Sequence, residues 1–154
     1  MEQGAGVSQQ RIQGLIRGEI VEFVEPTPTA QAAADQLGCE VGAIANSLVF
    51  AADGEPLLVI ASGAHRVDLV RVAALLGVRK IKRASKEFVL EATGQPVGGV
   101  APIGHPQPIR TVVDVWLRQH EVLWAGAGTP HSMFPTDYEE LVRLTGGVPA
   151  DVGD

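Results

Sequence analysis

The sequence predicts an α/β (α+β) domain: a mixed, largely antiparallel, β-barrel-like sheet flanked by helices. Three observations carry this expectation. Apolar runs of strand length alternate along the chain with segments of helical spacing, so strands and helices are interleaved. The first long strand pair is joined by Asp53-Gly54, a hairpin signal, and a tight hairpin makes that pair antiparallel, which excludes a purely parallel doubly wound sheet. The apolar share is 45% with only 5% aromatic, so Val, Ile, Leu and Ala must fill the core. A chain of 154 residues has the length of one domain able to bury about 70% of its unfolded surface. Neither a repeat nor a linker divides it. Residues 1–154 are therefore expected to form a single domain, with 1–25 as an N-terminal extension packing on it.

The elements follow in order. Gln9–Gly18 is amphipathic and reads as a short helix weakened by two glycines. Ile20–Val24 is a short apolar run stopped by Glu25-Pro26. Thr27-Pro28-Thr29 offers an N-cap and a first-turn proline for a helix over Ala30–Leu37, which Gly38 ends. Ile44–Ala51 is an apolar strand interrupted only by Asn46 and Ser47, and Pro56–Ala61 is its returning partner. Within Asp68–Leu76, the residues Leu69, Val72, Ala73 and Leu76 share a helical face that stops at Gly77. Val78–Lys82 reads as a short strand and Ser85–Thr93 as a helix ending at Gly94. Ile109–Trp116 and Val122–Ala127 read as buried strands, and Asp137–Leu144 as a last helix closed by Gly146-Gly147.

Composition excludes several classes. The single cysteine, Cys39, cannot form an internal disulfide, so the fold does not depend on an oxidising compartment. No apolar stretch approaches the roughly 18 residues of a membrane span, and Met1–Gln13 lacks the apolar core of a signal peptide. A cytoplasmic protein is the expectation. The net charge of −6 argues against binding along a DNA backbone. One local exception stands out: Arg79, Lys80, Lys82, Arg83 and Lys86 form a basic stretch. It reads either as a lysine-guarded edge strand or as a phosphate-contacting patch for a nucleic acid touched at one end only. No His-x-x-x-His or Cys-x-x-Cys spacing exists, so no metal site is expected. Neither a Walker loop nor Gly-x-Gly-x-x-Gly is present, and no cofactor is expected. No serine sits in Gly-x-Ser-x-Gly, which argues against a serine hydrolase.

Three segments remain as candidates for chemistry. In Gly94–His105, glycines allow close backbone approach and Pro96 and Pro102 restrict movement, so amide donors there are preset to stabilise charge developing on a carbonyl oxygen. Asn46 and Ser47 break an apolar strand; such a pair is either hydrogen-bonded in the interior or turned into a cavity. Of the four histidines, His120 lies in a charged turn. His65, His105 and His131 stand at the mouths of glycine-containing loops and are the better candidates.

Taken together, these segments resemble the YbaK/EbsC family, free-standing relatives of the editing domain inserted in bacterial prolyl-tRNA synthetase. The resemblance spans roughly Thr27 to Gly147. It is carried in order by Ile44–Phe50, Ser62-Gly63-Ala64-His65-Arg66-Val67-Asp68, the Gly98-x-x-x-Pro102 loop, Ile109–Asp114 and Gly126–His131. It implies the mixed barrel-like sheet of that family and hydrolysis of the ester joining a wrong amino acid to the 3′ end of a tRNA. The partners it implies are that acceptor end, carrying a small residue such as Ala, Ser or Cys on tRNA(Pro) or a similar tRNA, and an aminoacyl-tRNA synthetase. The site it implies has Asn46, Gly98, Gly99 and Pro102 at the reacting ester. Ser47, His65, Val100, Ala101, Gly104, His105, Asp114, Gly126, Gly128 and His131 would surround the substrate, with His131 gating size, and Lys80, Lys82 and Arg83 would touch the tRNA. One departure is visible. Where many members carry a pocket lysine in a Lys-Ser/Thr-Leu run, this chain has Asn46-Ser47-Leu48, which keeps hydrogen-bonding capacity and removes a fixed charge. A module that binds aminoacyl-tRNA or a small ligand without hydrolysis is the alternative this departure raises.

Overall fold

A computed structural model of the chain describes residues 9–27 and 29–154. Residues 1–8 of the expected extension, and the proline of the expected first helical turn, lie outside them. Eight strands form one mixed sheet: β1 Val21–Glu22, β2 Ile44–Ala52, β3 Glu55–Ser62, β4 Ile81–Arg83, β5 Arg110–Asp114, β6 Leu123–Gly126, β7 Ser132–Thr136 and β8 Val148–Ala150. The path runs β1-β7-β6-β2-β3-β5-β8, with β4 added on β2. Among the described residues four pairings are antiparallel and three parallel, and none joins β1 to β8.

Among the described residues four eight-residue helices flank the sheet: α1 Ala30–Leu37, α2 Leu69–Leu76, α3 Lys86–Thr93 and α4 Tyr138–Thr145. Helices this short are marginal alone, and each is fixed at its start by a side-chain cap. Thr29, Asp68, Ser85 and Asp137 accept from the N–H of Ala32, Arg71, Phe88 and Glu140 respectively. Thr27, the other candidate for the first cap, is buried and its hydroxyl donates instead to the Pro130 carbonyl at 3.3 Å.

β3 lies at the middle of the sheet, and Leu57, Leu58, Val59 and Ile60 are all fully buried. Leu58 and Ile60 face one core with Val113, Leu117, Leu123 and Phe134. Leu57 and Val59 face a second core with Val72 and Val112. Each such side chain contributes about 1.5–3 kcal/mol relative to exposure, so a strand covered on both faces anchors the whole sheet.

Four elements differ from expectation. The first helix stops at residue 13, at Gly14, although its Ile12 is fully buried. The apolar run Ile20–Val24 contributes only a two-residue edge strand. β7 and β8 were not legible because each contains a proline. In β7 the phase is set by Ala127 N–H donating to the Ser132 carbonyl at 3.1 Å, which turns even-numbered residues toward β6. Pro135 therefore directs its missing N–H to the outer edge, where no ladder donor is needed. Pro149 sits on β8, the last strand of the path, for the same reason. The segment before β1 is tied down through Glu140, a buried carboxylate of α4 that accepts from Arg17 N–H at 3.0 Å and Arg17 Nε at 3.2 Å.

Candidate functional site

A cavity of about 630 Å³ opens where β2 loses a neighbour. One edge of β2 pairs with β3 from Ala45 to Ala52. The other edge meets β6 only at Ile44 and Ala45, and β4 only at Phe50–Ala52. Between them, among the described residues, 46–49 have no strand partner on that side. Gly63 N–H donates to the Ile44 carbonyl at 2.8 Å. By the antiparallel alternation the backbone groups of Ser47 and Val49 then face the gap.

Successive side chains point to opposite faces of a strand, so Asn46 and Ser47 cannot share one face. Asn46 alternates with Leu48 on the side of Leu57 and Val59, and Ser47 with Val49 on the side of Leu58 and Ile60. Both nevertheless line the cavity, which reaches around the open edge. The Ser47 hydroxyl oxygen is sealed from solvent without a hydrogen-bond partner, alone in this among the described residues. The Asn46 amide also has no partner among them and remains accessible. An accessible amide without a partner on a cavity wall marks a position for a polar ligand.

The opposite wall comes from Val97, Gly98 and Val100, with Gly126 beside them. The loop is pinned from behind by Gln95, which is fully buried. Its Oε1 accepts from Ala101 N–H at 2.7 Å, and its Nε2 donates to the Ile103 carbonyl at 3.3 Å. Gly99 N–H donates to the Pro96 carbonyl at 2.9 Å. The donors of Gly99 and Ala101 are thus consumed inside the loop. The N–H groups of Gly98 and Val100 have no partner among the described residues, and both residues line the cavity.

Of the residues singled out in the sequence, the cavity lining brings together Asn46, Ser47, His65, Gly98, Val100 and Gly126, and it adds Arg83 from the basic stretch. Gly99 is not in the lining. A Cβ there would stand 2.5 Å from the Thr129 carbonyl carbon, so glycine is required by backbone packing rather than by a ligand. Ala101 and Pro102 are buried behind the loop. Gly104 packs on Ile12, and its carbonyl accepts from Arg11 Nη1 at 3.3 Å. Gly128 is a positive-φ turn residue outside the lining. His131 is exposed and does not reach the cavity; its backbone is taken up by Thr129 Oγ1 and Phe23 N–H. Lys80 and Lys82 are exposed beside the lining, and no ion pair holds them or Arg83 among the described residues. Asp114 is fully buried behind His65.

His105 also lies off the cavity, where its Nε2–H donates to the Ala101 carbonyl at 2.9 Å. Burial holds this imidazole below its ordinary pKa of 6.5, with the bond to Ala101 opposing. In the unfolded chain it takes up a proton near that value, which the folded form resists. Stability contributed by this site is therefore present above that pH and lost as the pH falls through it. His105→Gln, which keeps a donor for Ala101, is expected to flatten the acid side of a melting-temperature profile relative to the parent. Superimposable profiles would show that His105 titrates freely.

Sequence reasoning missed Thr27, Ala33, Arg66 and Met133 as cavity residues, and Gln95 as the loop's support. Arg66 directly follows His65, which was a usable signal. Gln95 looked like an ordinary loop amide. Cys39 is half-buried, and burial pushes its thiol up. Among the described residues no group of three His, Cys, Asp or Glu side chains is placed to hold a metal, and no helix is long and apolar enough to cross a membrane.

Comparison with known proteins gives a consistent picture. Residues 24–144 match the model of the aminoacyl-tRNA editing domain family. The Bacillus subtilis (strain 168) protein YwhH is 29% identical over 128 residues, covering 82% of this chain and 81% of that protein. The proline–tRNA ligase of Geobacter sulfurreducens is 29% identical over 123 residues, covering 73% of this chain and 21% of the ligase, so the chain spans about a fifth of that relative. Among solved structures, one described as "a putative trans-editing enzyme for prolyl tRNA synthetase" superposes with a TM-score of 0.88 at 37% identity, covering 96% of this chain and 97% of that one.

Proposed function

We propose, from the premise that this chain belongs to the aminoacyl-tRNA editing domain family, that it is a trans-acting deacylase removing a small, wrongly attached amino acid from a tRNA 3′ end. The observation that carries the reading is the cavity through the gap in the sheet, lined by Asn46 of β2, whose amide has no partner among the described residues, and by Gly98 and Val100 opposite. Its volume falls in the range of small-molecule sites, about 300–1,000 Å³, which suits an acylated terminal adenosine.

In this reading the N–H groups of Gly98 and Val100 receive the negative charge that develops on the ester carbonyl oxygen, and removal of one such donor typically costs about 10²–10³ in rate. The Asn46 amide holds the substrate's amino group or terminal ribose. Apolar side chains of Val49, Val89 and Met133 leave space for a short aliphatic or hydroxylated side chain. Small residues are the natural targets, because one methylene gives a synthetase only about 10–200-fold discrimination. A synthetase partner and the prolyl-tRNA substrate class are part of the proposal, supported by the ligase relatives.

Deacylation assays on tRNAs mischarged with Ala, Ser and Cys test it. Hydrolysis of at least one is expected; hydrolysis of none, at enzyme levels where another family member works, removes the catalytic claim. The replacement of the expected lysine by Asn46 favours one rival, a binding module, which tight binding of aminoacylated tRNA without turnover would establish instead.

The basic stretch makes a separate prediction. Lys80→Gln with Lys82→Gln removes two exposed cations outside the lining. Binding of tRNA is expected to weaken, and the slope of log affinity against log salt to fall by about 1–2, while hydrolysis of a minimal aminoacyl-adenosine ester stays unchanged. Equal losses on both substrates would assign the stretch to folding.

A further inference from the structure

His65 is held in a way that the oxyanion and anchoring roles above do not use. Asp114, at the end of β5, is fully buried. Its carboxylate receives three N–H groups: Ser62 N at 3.0 Å and His65 Nδ1 at 2.8 Å on Oδ2, and Trp116 N at 3.0 Å on Oδ1. A carboxylate surrounded by backbone donors is an acceptor only. The proton in the His65–Asp114 bond therefore sits on Nδ1, and in the neutral ring Nε2 carries a free lone pair. The ring is clamped edge-on against Trp116, with centroids 4.8 Å apart and planes at 75°. The His65 side chain is only 7% exposed, yet the residue lines the cavity together with Asn46 and Gly98. Nε2 has no partner among the described residues and is not among the sealed polar atoms.

A ring with one nitrogen fixed by a buried carboxylate, the other bare, and an orientation fixed by packing is the arrangement of a general base. We propose that His65 is a catalytic residue that activates the hydrolytic water through Nε2, with Asp114 as its positioning residue. The assignment rests on the deacylase reading. Nε2 takes a proton from water as the water oxygen bonds to the ester carbonyl carbon, and the carbonyl electron pair moves to its oxygen, facing the Gly98 and Val100 amides. When that pair returns, the bond from the acyl carbon to the ribose oxygen breaks. The imidazolium then gives its proton to the leaving ribose oxygen. The products are the free amino acid and the unacylated tRNA, with His65 restored.

The test compares wild type, His65→Asn, His65→Gly and Asp114→Asn on whichever mischarged tRNA the wild type hydrolyses. His65→Asn is expected to lower kcat by about 10²–10⁴ with KM changed less than about threefold, and His65→Gly to regain rate on adding imidazole. Asp114→Asn, which turns one acceptor into a donor, is expected to lower kcat at constant KM. A His65→Asn enzyme with wild-type kcat overturns the assignment and leaves the deacylase reading standing. A loss in His65→Gly that imidazole does not relieve, or a rise in KM that accounts for the effect of either Asn variant, also overturns it, because a structural role gives that pattern. A wild-type chain that hydrolyses no mischarged tRNA overturns both readings.

Discussion

Replacing Gln95 with leucine is expected to destabilise the protein by about 2–6 kcal/mol and, on the proposed deacylase function, to abolish hydrolysis. Its side chain is fully buried against the loop, while its backbone N–H donates to Thr93 Oγ1. Leucine fills a similar volume but strands the Ala101 N–H and the Ile103 carbonyl, each of which now has a bond to the side chain. An unsatisfied buried backbone group costs about 1–3 kcal/mol, and two together are a large part of the roughly 5–15 kcal/mol that keeps a domain folded. The loop can recover those bonds only by moving toward water, which displaces the Gly98 and Val100 wall. Thermal melts read the first effect, at about 2–4 °C for each kcal/mol, and deacylation of the preferred mischarged tRNA reads the second. A variant that melts and turns over like the parent would show that Gln95 does not hold the loop.

Gly99→Ala is the second large effect, and its neighbour supplies the control. A Cβ on Gly99 would lie 2.5 Å from the Thr129 carbonyl carbon and 2.7 Å from Pro130 N, both main-chain atoms that no rotamer change can remove. Carbon atoms pack at about 3.5–4.0 Å, so the two loops must separate by roughly 1 Å. A displacement of that size at a reacting centre costs about 10²-fold in rate, and kcat/KM is expected to fall at least that far. Gly98 has open space around its Cβ direction and differs only in a φ of 89°. Gly98→Ala keeps the N–H and carries about 1–2 kcal/mol of backbone strain, so it should lose some stability and much less rate. Equal rates in the two variants would mean that the loop does not position the reacting ester.

These effects separate two kinds of glycine that read alike in the sequence. Gly98, Gly99 and Gly126 all stood out as candidate ligand contacts. Gly98 lines the cavity with open space beside it, whereas Gly99, outside the lining, and Gly126, inside it, are glycines because another backbone crosses them, Val100 O standing 2.6 Å from the position of a Cβ on Gly126. The histidines separate in the same manner. His131 and His105 had loop positions as promising as that of His65. Only His65 combines a place in the lining with a buried carboxylate behind its ring. Nothing local to residues 62–68 announces Asp114, which lies about fifty positions away and reaches the ring only because β3 and β5 are parallel neighbours.

The sequence by itself determined the four capped helices and the hairpin, and its ordered motifs along the chain carried the family resemblance. The signals for the helices and the hairpin lie within a few residues: capping side chains at Thr29, Asp68, Ser85 and Asp137, the Asp53-Gly54 turn, and runs of Val, Ile and Leu at strand or helix spacing. Proline hid β7 and β8, since a local rule cannot know that Pro135 turns its nitrogen away from β6, to the side where the β1 pairing does not extend. Tertiary structure decided the site. Asn46 and Ser47 lie on opposite faces of one strand and meet the same hollow only because β6 stops at Ala45 and β4 begins at Phe50. That gap is set by pairings with chain far downstream, and pairing between distant segments follows from how the whole core packs, not from any short stretch of sequence.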